Sequence, residues 1–507
     1  MIGVRDLSVR FGPINALDSV GIDIRPGTIH ALAGENGSGK STLLKVLGGA
    51  QAPSAGTVVL DGQPVSFPDP ARAAAAGVGL IFQELSLFPH LSGYSNIFIG
   101  HEPSRLGFLQ FKQLNRQADK LVEEMGLPRP DLRLPVSELS VAEQQVVEIL
   151  KCLCRQPKII LFDEPTASLT QREIKPVLSI MKRLRDQGYT VVFVSHYLEE
   201  VFEVADRITV LRDGKVTLDD DMAHIYREKI LSAMLGRALD EFYPSRRAGP
   251  LAEPCLELEN AHADGIEPLS LKVRKGEILG VAGAVGSGSR AFGEMLGGLR
   301  PMRGGAMRLE GRAAAFRNPA RALQAGVAYV PEDRRVDALL LDLSIATNMS
   351  LPLVAAPKSR LVGAGGFLRL GQERMLVDEA VQHSNVKPSN PRLPARALSG
   401  GNQQKVVLGR WFLHDRPCLV LNNPTKGVDV GSKAEIYRQI ADLADSGHTI
   451  ILISNYNPEL IGTADRIIAF REGRLVATFE KGEATEDALL ATTMGGDGSA
   501  SGAQEMP

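Results

Sequence analysis

Gly34-Glu35-Asn36-Gly37-Ser38-Gly39-Lys40-Ser41-Thr42 decides how the rest of the chain is read. It follows an apolar run, Ile29-His30-Ala31-Leu32-Ala33, and leads into helical sequence from Ser41 to Leu47. A glycine turn between strand and helix that ends in Lys-Ser is a phosphate cradle. The glycines let backbone N–H groups approach phosphate oxygens, Lys40 supplies a point charge to the β and γ oxygens, and Ser41 can ligate Mg2+.

The same statement recurs in altered form. Gly34, Leu47, Gly48, Gly49, Gly77 and Val78 return 249 positions later as Gly283, Leu296, Gly297, Gly298, Gly326 and Val327. Further on the offset is 259: Leu139-Ser140 returns as Leu398-Ser399, and Ala205-Asp206-Arg207-Ile208 as Ala464-Asp465-Arg466-Ile467. About ten extra residues in the second copy, placed between Asn348 and Leu398, account for the change. A period this long predicts two similar domains rather than a solenoid. Boundaries are expected at 1–235 and 254–494, with a Gly/Pro/Arg-containing linker at 236–253 and a disordered tail at 495–507.

Each copy opens with β-rich runs such as Thr57-Val58-Val59-Leu60 before the Asp61-Gly62 turn. The stretch from Lys112 to Met125 carries Leu114, Ala118, Leu121, Val122 and Met125 on one helical face. Ile159 to Phe162, Val191 to Val194, Leu419 to Leu421 and Ile450 to Ile453 are continuous apolar strands. Such strands separated by helices predict an α/β fold whose parallel sheet is covered on both faces.

Composition narrows the function. A net charge of -2 and 5% aromatic residues argue against nucleic-acid binding, which needs basic surface and stacking platforms. Cys152, Cys154, Cys255 and Cys418 form no CxxC pair and read as core residues of a reducing compartment. The first residues lack a secretory pattern, and the longest weakly polar stretch, Ala71 to Phe82, is far short of a membrane span.

A second motif, Ile160-Leu161-Phe162-Asp163-Glu164, stands at a strand end about 120 residues after the loop. Asp163 is suited to hold a metal and Glu164 to orient or deprotonate an attacking water. Gln83 follows Ile81-Phe82, and His196 ends the strand Val192 to Ser195. In Leu398-Ser399-Gly400-Gly401-Asn402-Gln403-Gln404-Lys405, Ser399 and two glycines precede a helix expected from Asn402 to Phe412, whose bare N-terminus suits an anion.

With these strings the chain resembles the fused two-cassette ATP-binding subunit of bacterial carbohydrate ABC importers of the ribose, galactose and xylose type. Further support comes from Asp163 to Thr170, Val194 to Phe202, Val330-Pro331-Glu332-Asp333-Arg334-Arg335 and Thr425 to Gly431. The resemblance implies two tandem ABC-type P-loop ATPase cassettes, each with a mostly parallel sheet, an antiparallel β portion and a helical subdomain. It implies ATP and Mg2+, the metal held by Ser41, Gln83 and Asp163. The nucleotide would lie on Gly34 to Thr42, with Phe11 stacked on adenine, and be completed by Ser399, Gly400 and Gly401. Lys40, Gln83, Glu164 and His196 would be catalytic.

It also implies integral membrane permease subunits as partners and a periplasmic sugar-binding protein as an indirect one. No sugar would touch this chain, which would sit at the cytoplasmic face of the bacterial membrane. Leu85 to Ile97 and Asp333 to Met349 are the segments expected to meet the permease. The second site departs from this pattern. Ser289 and Arg290 replace Lys40 and Ser41, Asn422-Asn423 replaces Asp163-Glu164, Asn455 replaces His196, Glu332 replaces Gln83, and the signature opposite reads Leu139-Ser140-Val141-Ala142-Glu143. One catalytic site per chain is therefore expected.

Overall fold

In a computed structural model the chain divides into two compact units, Met1–Arg237 and Ala238–Pro507. The structure describes residues 1–494 apart from 106–107, 127–128, 167–168, 170, 196, 237–241, 355–358, 360 and 414–416. The expected tail and His196 lie outside the described residues.

Unit 1 is built on a six-stranded sheet. Its order is Lys215–Asp221, Arg207–Arg212, Ile29–Gly34, Thr190–Val194, Ile159–Phe162, Val78–Ile81. The first pair is antiparallel and the remaining pairs are parallel. Ile29–Gly34 and Thr190–Val194 are buried along their whole length, as strands covered on both faces must be. A separate antiparallel sheet runs Ile14–Ile24, Ile2–Phe11, Ala55–Leu60, Gln63–Val65. Helices Gly93–Phe98, Phe111–Met125 and Val141–Leu153 form the helical part. Leu114, Ala118, Val122 and Met125 are its buried stripe; Leu121, expected on the same face, is half-buried.

Unit 2 repeats the order: Arg474–Glu480, Arg466–Arg471, Ile278–Ala282, Thr449–Ser454, Cys418–Asn422, Val327–Val330. Its antiparallel sheet is Ile266–Arg274, Pro254–Ala263, Gly304–Leu309, Arg312–Ala314. Three segments differ from expectation. The helix read as Asn402 to Phe412 starts at Gly400 and ends at Gly409, because Ser399 caps it two residues earlier. A 3-10 turn, Arg410–Leu413, follows. Three of the ten extra residues lie before Asn348, in a π turn at Arg334–Ala338.

Part of the expected linker, residues 242–248, instead packs within unit 2. Phe242 is 2% exposed and meets the ring of Tyr437 edge-on at 5.4 Å; Tyr243 stacks on Tyr437 at 5.1 Å. The slot for Tyr243 exists because residue 462 is glycine: a Cβ there would stand 2.4 Å from the tyrosine ring. Arg246 is nearly buried between Asp445 and Asp465. The four cysteines are free thiols, and burial pushes those of Cys152 and Cys154 up to about 12 and about 11. No described helix is long and apolar enough to cross a membrane.

Candidate functional site

Parallel strands deliver their carboxyl ends to one edge, where ligands of such sheets bind. In unit 1 that edge gathers Gly34 to Ser41 after Ile29–Gly34, Asp163 and Glu164 after Ile159–Phe162, and Gln83 after Val78–Ile81.

The loop needs its glycines. Gly34 has φ +150°, and a Cβ there would stand 2.2 Å from the Leu211 carbonyl and 2.5 Å from Ser38 Oγ. Gly39, at φ +103°, has no room beside the Ala16 carbonyl at 2.4 Å, and it hands the chain into the helix Lys40–Leu47. Lys40 is 4% exposed and its Nζ donates to the carbonyls of Gly34 and Glu35, at 3.0 and 2.8 Å. Ser38 Oγ is buried without a hydrogen-bond partner. A loop whose amine sits among its own carbonyls, and whose buried hydroxyl lacks a partner, fits phosphate oxygens.

Ser41 Oγ donates to Asp163 Oδ1 at 2.7 Å, so two hard oxygen ligands from different elements already touch. Burial raises the Asp163 carboxyl above its ordinary range, opposed by the Ser41 bond and by Lys45 and Lys40. Gln83 Nε2 donates to Glu164 Oε2 at 3.0 Å. Among the described residues no three His, Cys, Asp or Glu side chains cluster to hold a metal. The Ser41–Asp163 oxygen pair fits Mg2+, which is held by one or two protein oxygens together with waters and substrate phosphates. Phe11 ends the strand Ile2–Phe11 and is 48% exposed. The structure thus brings together Gly34 to Ser41, Gln83, Asp163 and Glu164.

Unit 2 keeps the backbone of this site without its chemistry. Gly286 and Gly288 have φ of 89° and 102°, against 83° and 103° for Gly37 and Gly39. Ser289, in place of Lys40, accepts a hydrogen bond from Ser287 Oγ at 3.2 Å. Asn422 Nδ2 donates to the Tyr329 hydroxyl at 3.0 Å, and Asn423 Oδ1 accepts the Asn455 N–H at 2.9 Å. Arg290 is engaged by Glu294 at 2.8 Å and by Glu332 at 3.7 Å, and Glu332 also pairs with Lys426. The polar groups at these positions are bonded to protein partners.

Tyr329 was not singled out from the sequence, although a signal was available. Leu80 stands at its position in unit 1, and Leu44 in unit 1 corresponds to Gly293, whose added Cβ would lie 2.2 Å from Ile453 Cδ1, 3.3 Å from Val420 and 3.6 Å from the tyrosine ring. A large-for-small exchange at paired positions marks a refilled space.

The two signature segments differ in charge at their helix ends. Ser399 caps Gly400–Gly409, its Oγ accepting from Asn402 Nδ2 at 3.0 Å, and the first turn holds no acidic residue. That end keeps its partial positive charge for an anion. In unit 1, Glu143 Oε2 accepts from both the N–H and the hydroxyl of Ser140, at 2.9 and 2.7 Å, while Ser140 Oγ accepts the Glu143 N–H. This capping box satisfies the end of Val141–Leu153 with an internal carboxylate.

Loop, carboxylate pair and strand order define a P-loop ATPase cassette in unit 1, and unit 2 repeats its strand order and loop backbone. The family described as ABC transporter matches residues 17–167 and 266–426, and the chain belongs to it. The chain is 39% identical over 500 residues to the ribose import ATP-binding protein RbsA of Geobacillus kaustophilus, covering 98% of this chain and 100% of that one. It is 39% identical over 496 residues to RbsA 3 of Rubrobacter xylanophilus, covering 98% of each. It is also 39% identical over 497 residues to RbsA 1 of Streptomyces coelicolor, covering 98% of this chain and 97% of that one.

Proposed function

We propose that the chain is the ATP-hydrolysing subunit of a carbohydrate importer of the ribose type and works through one competent nucleotide site. The observation that carries this reading is the contrast between the two strand-end sites. Lys40, Ser41, Asp163 and Glu164 supply the charge and the oxygen ligands that phosphate, metal and water need, whereas their counterparts Ser289, Arg290, Asn422 and Asn423 lack them and bond to Ser287, Glu294, Tyr329 and the Asn455 N–H.

In the proposed site the loop N–H groups from Gly34 to Thr42 hold the phosphates and Lys40 exchanges its carbonyl contacts for phosphate oxygens. Glu164, oriented by Gln83, accepts a proton from the attacking water. Ser41, Gln83 and Asp163 would hold Mg2+, which supplies charge neutralisation along the phosphates. His196 and Phe11 retain the roles that the family resemblance assigns them. Ser399, Gly400 and Gly401 complete the site as the signature that receives the γ-phosphate. Permease subunits and a periplasmic sugar-binding protein choose the carbohydrate, and this chain, at the cytoplasmic face of the membrane, touches none of it.

ATP turnover by the purified full-length chain tests the reading. Wild type is expected to hydrolyse ATP, and Lys40→Ala and Gly400→Asp each to lose about 100-fold or more in kcat. Retained activity in Gly400→Asp would show that the signature does not serve the site.

A further inference from the structure

Arg334 and Arg335 stand in a turn that unit 1 lacks. Unit 2 follows unit 1 at an offset of 249 up to Asp333, the counterpart of Glu84, and at 252 from Leu339, the counterpart of Leu87. The second register is visible in the hydrogen bonds. Asn96 Nδ2 donates to the carbonyls of Phe88, Leu91 and Ser92; Asn348 Nδ2 donates to those of Leu340, Leu343 and Ser344. The three extra residues are taken up by the π turn Arg334–Ala338, which the Leu339 N–H closes onto the Arg334 carbonyl at 2.9 Å. Such insertions recur at functional sites.

The turn aims Arg334 at the signature of its own unit. Nη1 donates to the Lys426 carbonyl at 2.7 Å and Nη2 to the Gly427 carbonyl at 3.0 Å. A Cβ built on Gly400 would lie 2.5 Å from Nη2 and 3.2 Å from the Gly427 carbonyl. The guanidinium therefore rests on the first signature glycine and ties it to the loop after Asn423. One helical turn further on, Arg335 Nε donates to Gln403 Oε1 at 3.3 Å. On the other side Gly401 packs against Ser432, whose Oγ donates to Asp429 Oδ2 at 2.9 Å.

We infer that Arg334 is a positioning residue for ATP hydrolysis: it fixes Gly400 against the Lys426–Gly427 loop and makes the signature's geometry depend on the turn Arg334–Ala338. This rests on the reading that Ser399 to Gly401 complete the nucleotide site. A planar fork is required, because two neighbouring carbonyls are held at once; a lysine ammonium is a point charge that does not reproduce it. The turn lies in the segment expected to meet a permease, so pressure on it moves Gly400 through one side chain.

Steady-state hydrolysis by the full-length chain tests the inference. Arg334→Ala and Arg334→Lys are each expected to lower kcat about tenfold or more, with KM for ATP changed less than about threefold, since the phosphate loop is untouched. A merely structural role would lower the thermal midpoint without this split. Gly400→Ala, whose methyl displaces the guanidinium, should reproduce the loss, and the double variant should lose no more than either single one. Wild-type kcat in Arg334→Ala, or full additivity in the cycle, overturns the inference. Gly400→Asp separates the two claims. If it is inactive while Arg334→Ala is active, the site reading stands and this inference falls; if it is active, both fall. Should Arg334→Ala fail to fold, Arg334→Lys, which keeps stem and charge, carries the same comparison.

Discussion

Glu164 and Asn423 occupy the same place after the strands Ile159–Phe162 and Cys418–Asn422, and both backbones are left-handed, with φ of 48° and 46°. Asparagine adopts that region more readily than glutamate. Unit 1 therefore keeps a carboxylate at a backbone position that disfavours it, a common arrangement at functional sites. Glu164→Asn is expected to abolish turnover while relieving about 0.5–1 kcal/mol of backbone strain. Scanning calorimetry beside a turnover assay checks this; a lowered midpoint would refute it. The residue types gathered at the unit 1 strand edge were legible because Gly34 to Ser41, Gln83, Asp163 and Glu164 all come just after apolar strands. The left-handed backbone was not, since nothing in Asp163-Glu164 distinguishes a strained carboxylate from an ordinary one. Glu143 was half legible: its negative charge was read, but Ser140-x-x-Glu143 also spells a capping box.

At the scale of elements, the two central strands carry different cores. In unit 1, His30 Nε2 meets Thr209 Oγ1 at 2.7 Å, and Thr209 donates to Asp219 at 2.9 Å. Unit 2 has Leu279 and Ile468 at the paired positions. Burial pushes the His30 imidazole down to about 4 from 6.5, with Arg207 and Arg25 acting in the same direction and Asp219 and Asp221 opposing it. The folded unit thus keeps His30 neutral while the unfolded chain takes up a proton below pH 6.5. This group costs nothing above that pH, and stability falls as pH drops from 6.5 towards 4. His30→Leu with Thr209→Ile should flatten the decline of the unfolding midpoint over that window; an unchanged slope would assign the acid sensitivity elsewhere. The segment at Phe242 gives a second test. Truncating this buried ring, Phe242→Ala, should destabilise unit 2 by about 3 kcal/mol and leave unit 1 unchanged, as read by hydrogen exchange in each unit. Strands and helices were legible from apolar runs and period. The docking of residues 242–248 was not, because a slot left by Gly462 has no signature in local composition.

For the whole molecule, duplication was the clearest message of the sequence, and the chemical difference between the two strand-end sites followed from reading the copies side by side. What that comparison missed was compensation. Three inserted residues make a π turn, and Ile453, with Val420 and Tyr329 behind it, fills the space at Gly293; neither follows a propensity, and both depend on partners far along the chain. The compensation has a measurable consequence. Asn422→Asp with Asn423→Glu should leave turnover no higher than wild type, because Ser289 and Arg290 still stand where the loop lysine and hydroxyl are needed, and the Tyr329 hydroxyl stays against residue 422. A second set of turnovers in that variant would refute it. The capping box at Ser140 carries the same logic into history. Placing glycine at Val141 or Ala142 would remove a better helix former from the first turn of Val141–Leu153, and replacing Glu143 would remove half of its capping box. Each step back towards a working signature makes the protein less stable before any activity returns. If unit 1's signature serves no nucleotide, as proposed, helix stability alone is enough to hold it in its present form, like a ratchet.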